Sequence, residues 1–480
     1  MPLVRIVQFG AIVALAAGCR ASPSHPVLSP LPATILTAAP QPTPPVAVRP
    51  AVVRIAFQET IARGHEAPDS DAFAEAEPEL SLAWLVEEVQ RQNSTLQAMV
   101  AAWGAAAERY PQVVALDDPM FMTMMAPASF GSPEVESAYV LEGAQKLPWF
   151  GTRAARGRMA RGEASAAGQD AQATRLLLVE AAELAFLDYY LVRRQQDLNG
   201  HNIEVMRQFR DTAETRYRAN QVTQRDVLQA DVELTELDRR RIELARMHVV
   251  AVAKINTLVR RPPECPLPPP PARLEATPVS VDLDALQQGA LQQRPDVAAA
   301  AARLRAEQAS VTLARKGHFP DGEFFGRYDS FWQPADTQSD LRGQVGVRLN
   351  VPLHKGRLNA AVREAMLRAS QRRAELEQKR LDVKYEVYLA HAQFEEAQQS
   401  LTLYAERLLP AAEANVAAAR ANYDVGKDSF LDLALAQRQL IEVREKQEQE
   451  LTAYHRRLAE LNRAVGGSLP RLFQRDTPGF

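Results

Sequence analysis

The chain has 480 residues, a formal net charge of −3 and a hydrophobic content of 46%. That length holds two or three ordinary domains, and 6% aromatic residues against abundant Ala, Glu, Gln, Arg and Leu predicts long helices. The small negative charge offers no global basic field for nucleic acid, and two cysteines exclude a disulfide framework.

The chain opens "MPLVRIVQFGAIVALAAGCRAS", with Arg5 ahead of a short apolar run, Ile6 to Ala17, that ends in small residues. This predicts a signal peptide over 1–18 rather than a membrane span, which needs about 20 apolar residues. The ending "LAAGC" resembles the lipobox of bacterial lipoproteins, which implies cleavage after Gly18 and acylation of Cys19. An ordinary signal with an incidental cysteine is the alternative. Residues 19–79 are predicted to be a lipid-anchored linker, because the Pro-rich composition between Pro23 and Pro50 favours a semi-rigid tether. The folded body is expected to begin near Leu80.

From there the chain says the same thing twice. "RYRANQVTQRDVLQADVEL" (Arg216 to Leu234) and "NYDVGKDSFLDLALAQRQL" (Asn422 to Leu440) align at one offset. Tyr217 meets Tyr423, Thr223 meets Ser429, Asp226 meets Asp432, and further on Asn256 meets Asn462. "KLPWFGTR" (Lys146 to Arg153) has a counterpart in "NVPLHKGR" (Asn350 to Arg357). A tandem duplication follows, with a first repeat over 80–262 and a second over 276–467. A Pro-rich linker, 263–275, joins them, because proline cannot continue a helix; residues 468–480 form a tail.

Each repeat is predicted to read helix, β-hairpin, very long helix, returning helix. The hairpins are expected at about 111–148 and 319–353, and the long helical hairpins at 152–260 and 357–466. Residues 152–218 lack proline, and Leu177, Leu184, Leu191, Leu198 and Val205 recur every seven residues, the mark of a coiled-coil seam. The second repeat offers two such rows, Val387–Phe394–Leu401–Leu408 and Val383–Ala390–Ala397–Tyr404–Ala411. Pro410 is expected to kink its helix.

In "LRGQVGVRLNVPL" Val345, Val347, Leu349, Val351 and Leu353 alternate with Arg342, Gln344, Arg348 and Asn350. In "FPDGEFFGRYDSFW" Phe324, Tyr328 and Trp332 alternate with Asp321, Glu323, Arg327 and Asp329. Period two with one apolar and one charged face suits a hairpin on a soluble core, and equally a membrane barrel with lipid outside and water inside. "MFMTMM" in the first repeat hardly alternates. Four spanning strands cannot close in lipid, where open edges are not satisfied; three chains would give twelve.

These features together resemble the TolC-like outer-membrane efflux protein family. The resemblance rests on the duplication, on the "LPWFG" and "NVPLHKGR" strand-to-helix passages and on the two Tyr-x-x-[Gly/Asn]-x-x-[Thr/Ser]-x-x-Asp turns. "KLPWFGTR" is most similar to the heavy-metal efflux branch. The resemblance implies an α+β membrane protein: a homotrimer whose 12-stranded β-barrel, four strands per chain, sits in the outer membrane and continues into a periplasmic α-helical coiled-coil barrel. It further implies docking to a periplasmic adaptor protein and an inner-membrane pump of the resistance-nodulation-division type. The function implied is a passive exit duct for efflux. A type I secretion channel and a lipid-tethered periplasmic scaffold without a pore are the competing readings.

On that resemblance the paired stretches are periplasmic hairpin tips and the gate. Gly426 and Asn220 suit the left-handed position after a helix, Thr223 and Ser429 suit N-caps, and Asp226 and Asp432 fall in the first turn of the returning helices. The aspartates are read either as helix caps or, for Asp432, as part of an acidic constriction; Leu435 and Gln229 stand where a second acidic tier would be. No two of the eight histidines, and no His–Cys pair, have ligand spacing, and no phosphate loop or nucleophile elbow occurs. Neither metal, cofactor, nucleic acid nor enzymatic chemistry is therefore expected.

Overall fold

The computed structural model describes residues 79–125, 139–276, 279, 281–330, 343–425, 427 and 430–467. The expectations for Cys19, the tether, Trp332, Arg342, Gly426, Ser429 and the tail lie outside them. The elements run α1 (Leu82–Gln92), α2 (Ser94–Val114), β1 (Met120–Met125), β2 (Tyr139–Leu147), α3 (Thr152–Arg218) and α4 (Gln224–Leu258). Then follow α5 (Leu283–Gln293), α6 (Pro295–Lys316), β3 (Asp321–Ser330), β4 (Gly343–Asn350) and α7 (Lys355–Leu403). A π-helical turn (Tyr404–Leu408), α8 (Leu409–Asp424) and α9 (Phe430–Val465) complete the chain.

Local chemistry sets the breaks. Between α1 and α2 the Asn93 side chain accepts from the backbone N–H groups of Thr95 and Leu96, at 2.9 and 3.4 Å, which caps α2. Between α5 and α6 the work is done by Pro295, which disfavours helical ψ at Arg294; that residue is extended, with ψ 122–124° shared by the two break points Asn93 and Arg294. The first hairpin starts later than its expected 111: α2 runs through Pro111 to Val114, and β1 begins at Met120. Pro111 sits in the last turn, where its missing N–H forfeits one ladder bond of a helix about to end.

α3 has 67 residues, on the order of 100 Å of helix. Its seam is not the leucine row. Leu177 is 52% exposed, whereas Ala185, Val192, Asn199, Met206 and Ala213 are all buried, also at intervals of seven. The buried row lies one residue further round, with small and polar members that let the neighbouring helices approach. At Gly162 a Cβ would come within 2.8 Å of the Ala306 Cβ, so a larger residue would wedge α3 from α6. On α7 Val383, Val387, Ala390, Phe394 and Ala397 are buried as the heptads require, but Leu408 beyond it is exposed. That change coincides with the π-helical turn. Pro410 lies two residues beyond its last residue, Leu408, and the Leu409 N–H bonds to the Tyr404 carbonyl, five residues back. The predicted kink is thus an inserted residue rather than a break, since a widened turn relieves the proline ring's clash with the preceding carbonyls.

The four strands form one antiparallel sheet in the order β1-β2-β3-β4, so β2 and β3 join the two halves of the chain. Glu142 lies opposite Arg327, and Glu323 lies between Lys146 and Arg348. Arg348 bonds to Glu323 and comes within 3.5 Å of Glu142. Leu141, Tyr328, Phe324, Val345, Val347 and Leu349 occupy the opposite face by register. On the charged face the Glu142 and Glu323 side chains are covered, at 11% and 12% exposed, beneath an Arg348 that is 57% exposed; on the apolar face Val345 is 79% exposed. Phe325 breaks the alternation and sits over Gly346, where a Cβ would meet its ring at 2.6 Å.

Three buried clusters hold the helices. One joins α1, α3 and α4 through Leu85, Val89, Phe186 and Ile255. A second joins α5, α7 and α9 through Leu286, Val387, Phe394, Tyr454 and Leu461. The third lies where α3, α4, α8 and α9 meet, around Ala213, Ala230, Tyr423 and Leu433. No helix among the described residues is long and apolar enough to cross a membrane.

Candidate functional site: the hairpin tips and the amphipathic sheet

The ends of the two helical hairpins are built alike. After α3 the Gln221 N–H bonds to the Arg216 carbonyl at 2.8 Å; after α8 the Lys427 N–H bonds to the Asn422 carbonyl at 2.9 Å. Both pairs stand 206 positions apart, like the repeated sequence that encodes them. The far ends also match: Arg261 bonds to Asn256 at 2.8 Å and Gly467 to Asn462 at 2.7 Å. Asn220 takes φ 53°, the left-handed region that asparagine tolerates. Thr223 is the N-cap of α4, and the Asp226 carboxylate accepts from its backbone N–H at 2.9 Å and its hydroxyl at 3.0 Å. Asp226 is therefore a capping carboxylate in this conformation.

The repeated residues do not share an environment. Tyr217 is exposed, whereas Tyr423 is buried in the cluster that binds the two hairpins together. Asp432 lies exposed in the first turn of α9, with Leu435 exposed one turn on. What ties tip to tip is Arg216. Its guanidinium sits 4.3 Å from the Tyr423 ring centroid, donates to the Tyr423 carbonyl at 3.2 Å and to Asp424 at 3.3 Å. Arg438 on α9 bonds to Glu233 on α4 a little higher. Arg216 was legible only as the first letter of a repeated stretch: its counterpart is Asn422, so the repeat signal passes over it.

Above the tips, α3 and α9 are laced antiparallel by Arg194–Glu448, Asp188–Arg456 and Glu180–Arg463, at 2.9, 2.7 and 2.8 Å. Burial, with the nearby Glu180 carboxylate, pushes Glu183 up to about 7. At the head of α6, Arg294 donates to both Asp296 oxygens (3.0 and 2.6 Å), to Glu386 (2.5 Å) and to the Ala464 carbonyl (3.2 Å). Burial opposes ionisation of Asp296, but Arg294 and Lys379 override it and hold the carboxyl at about 2. No group of three or more His, Cys, Asp or Glu suited to a metal ion occurs among the described residues.

Long paired helices thus continue from a small four-stranded sheet that carries charged residues on one face and exposed apolar side chains on the other. Residues 286–467 match the model of the outer membrane efflux protein family. Solved structures share the fold over a larger part of the chain. The outer-membrane channel OprN is similar at a TM-score of 0.66 and 23% identity, over 81% of this chain and 90% of that one. CusC, described for its transmembrane channel formation, gives 0.68 at 18% identity, over 85% and 100%. The outer membrane protein VceC of Vibrio cholerae gives 0.66 at 19%, over 81% and 96%. A sequence comparison with curated proteins finds no match.

Proposed function

We propose that the protein is the outer-membrane channel of a tripartite efflux system, a passive duct from periplasm to exterior. The observation that carries this reading is the sheet. β1 and β4 are its outer edges, each with one strand neighbour among the described residues, and one face is apolar and exposed. A four-stranded sheet of that kind cannot sit in lipid with open edges; pairing β1 of one copy with β4 of the next closes it. Three copies give twelve strands around a lumen lined by Glu142, Glu323, Arg327 and Arg348. The exposed heptad rows Leu228–Ile242–Val249 on α4 and Leu367–Leu381–Tyr388 on α7 are left for neighbouring copies, which would continue the barrel as a helical tunnel.

The equal hydrogen bonds 206 positions apart support descent from a tandem duplication. The repeats would span 80–262 and 276–467. Tyr217, Asn220, Thr223 and Asp226, with Tyr423, Gly426, Ser429 and Asp432, would form the periplasmic mouth. A periplasmic adaptor and an inner-membrane pump would deliver cargo there, so the chain itself does no catalysis. Cys19 would anchor the trimer by its lipid; palmitate labelling should mark the wild type and vanish in Cys19→Ser, and equal labelling would remove the anchor. For the channel, mass measurement in detergent should give three chains, and planar bilayers should show conductance. A stable monomer without conductance would refute the duct.

A further inference from the structure

Most of the helical body neutralises its charges in pairs, but the part next to the sheet does not. Between Glu142 and Glu163 the chain carries five Lys or Arg and no acid; between Glu307 and Asp321 it carries two, and between Asn350 and Glu364 three. These three segments are the start of α3, the end of α6 and the start of α7, all of which flank the sheet directly. Among the described residues no carboxylate lies within 4.0 Å of Arg153, Arg156, Arg315, Lys316, Lys355 or Arg357. Pairing begins only further along the same helices, at Arg109–Glu163, Arg303–Asp170 and Arg368–Glu364.

The side chains between this basic zone and the sheet have interfacial character. Trp149 stacks on Phe319 with centroids 5.2 Å apart, the Lys316 ammonium lies 5.4 Å from the Phe319 centroid, and Phe150 is 84% exposed. Leu147, Leu349, Val351 and Leu353 carry the exposed apolar surface down to the same level. Apolar band, aromatic belt and cationic collar thus follow one another along the chain, the order expected through acyl chains, interface and headgroups. Unpaired cations at such a level are stabilised by anionic headgroups.

We propose that this collar is a docking surface for anionic phospholipid headgroups in the leaflet facing the helical body. The inference rests on the reading that the sheet spans a membrane, and goes beyond it by assigning a lipid class. Arg153 and Arg156 from α3, Arg315 and Lys316 from α6, and Lys355 and Arg357 from α7 supply the contacts. Because the three helices converge on the sheet, lipid binding there would also brace the joint between barrel and tunnel.

The full chain would be reconstituted in phosphatidylcholine vesicles with and without phosphatidylglycerol, and lipid retention measured by native mass spectrometry after extraction. Phosphatidylglycerol should be retained preferentially. Each charge removed near an anionic surface should weaken retention about fivefold, so Arg315→Gln/Lys316→Gln and Lys355→Gln/Arg357→Gln should each lose roughly 25-fold. High salt should shrink the wild-type preference. Equal retention of both lipids, or variants that retain phosphatidylglycerol like the wild type, would overturn the proposal. Conductance recorded on the same vesicles separates the two readings: a conducting channel with no lipid preference sinks the collar alone. A chain that neither inserts nor conducts sinks the pore, and the collar with it.

Discussion

Replacing Arg216 by Ala would cut the contact between the two hairpin tips at its most connected point. Three interactions go together. A cation over a tyrosine face at 4.3 Å contributes about 1 kcal/mol where the guanidinium is 25% exposed. The ion pair to Asp424 at 3.3 Å, whose carboxylate is 58% exposed, adds about 0.2–1 kcal/mol after screening. The bond to the Tyr423 carbonyl at 3.2 Å adds about 1 kcal/mol. The sum is about 2 kcal/mol, or roughly thirtyfold in an equilibrium between joined and separated tips. If the tips gate the periplasmic mouth, Arg216→Ala should raise open probability in bilayer recordings by about that factor, while thermal unfolding changes little. Arg216→Lys should recover part of the effect, since it keeps the charge but loses the fork and the stacking. Asp432→Asn is the companion test. It should reduce cation preference, because Asp432 is exposed in the first turn of α9, at the proposed mouth. An Arg216→Ala channel with unchanged open probability and a markedly lower melting temperature would falsify the latch and leave Arg216 a packing residue.

Asp296 and Glu183 give opposite pH dependences. The Asp296 carboxyl is held at about 2, below its ordinary 3.8, so its contribution is present above pH 3.8 and lost as pH falls towards 2. That window should hold about 2 kcal/mol in the wild type and none in Asp296→Asn, read from denaturant unfolding. Arg294→Met, which leaves Asp296 with Lys379 as its ion-pair partner, should cost less than the about 3–5 kcal/mol of a fully stranded buried carboxylate at neutral pH. Glu183 is raised from 4.5 to about 7, so the folded chain favours its protonated form. The contribution of Glu183 to stability is greatest below pH 4.5 and falls as pH rises to 7, and Glu183→Gln should stabilise by about 3 kcal/mol at pH 8. An unchanged denaturation midpoint in Glu183→Gln would show that water reaches the carboxyl freely.

The sequence by itself determined the matching stretches 206 positions apart, the helical and strand periods, and the charged and apolar faces of the β3–β4 hairpin. These are local quantities: period two or seven survives whatever packs against it, and two matching stretches remain readable wherever they end. The capping chemistry of Thr223, Asp226 and Asn220 was legible for the same reason, since a helix end is satisfied by residues a few positions away. Tertiary structure decided the rest. It put the buried seam of α3 on Ala185, Val192, Asn199 and Met206 rather than on the leucines, because a close helix contact selects for small volume and shape while hydropathy ranks only transfer from water. It made Tyr423 a core residue and left Tyr217 exposed, although their sequence contexts match, because only one of them faces the other hairpin. It placed a π-helical turn just ahead of Pro410. And it brought Arg216 onto Tyr423 and Asp424 across about two hundred positions of chain, a contact that no local pattern encodes because it exists only when both hairpins are folded side by side.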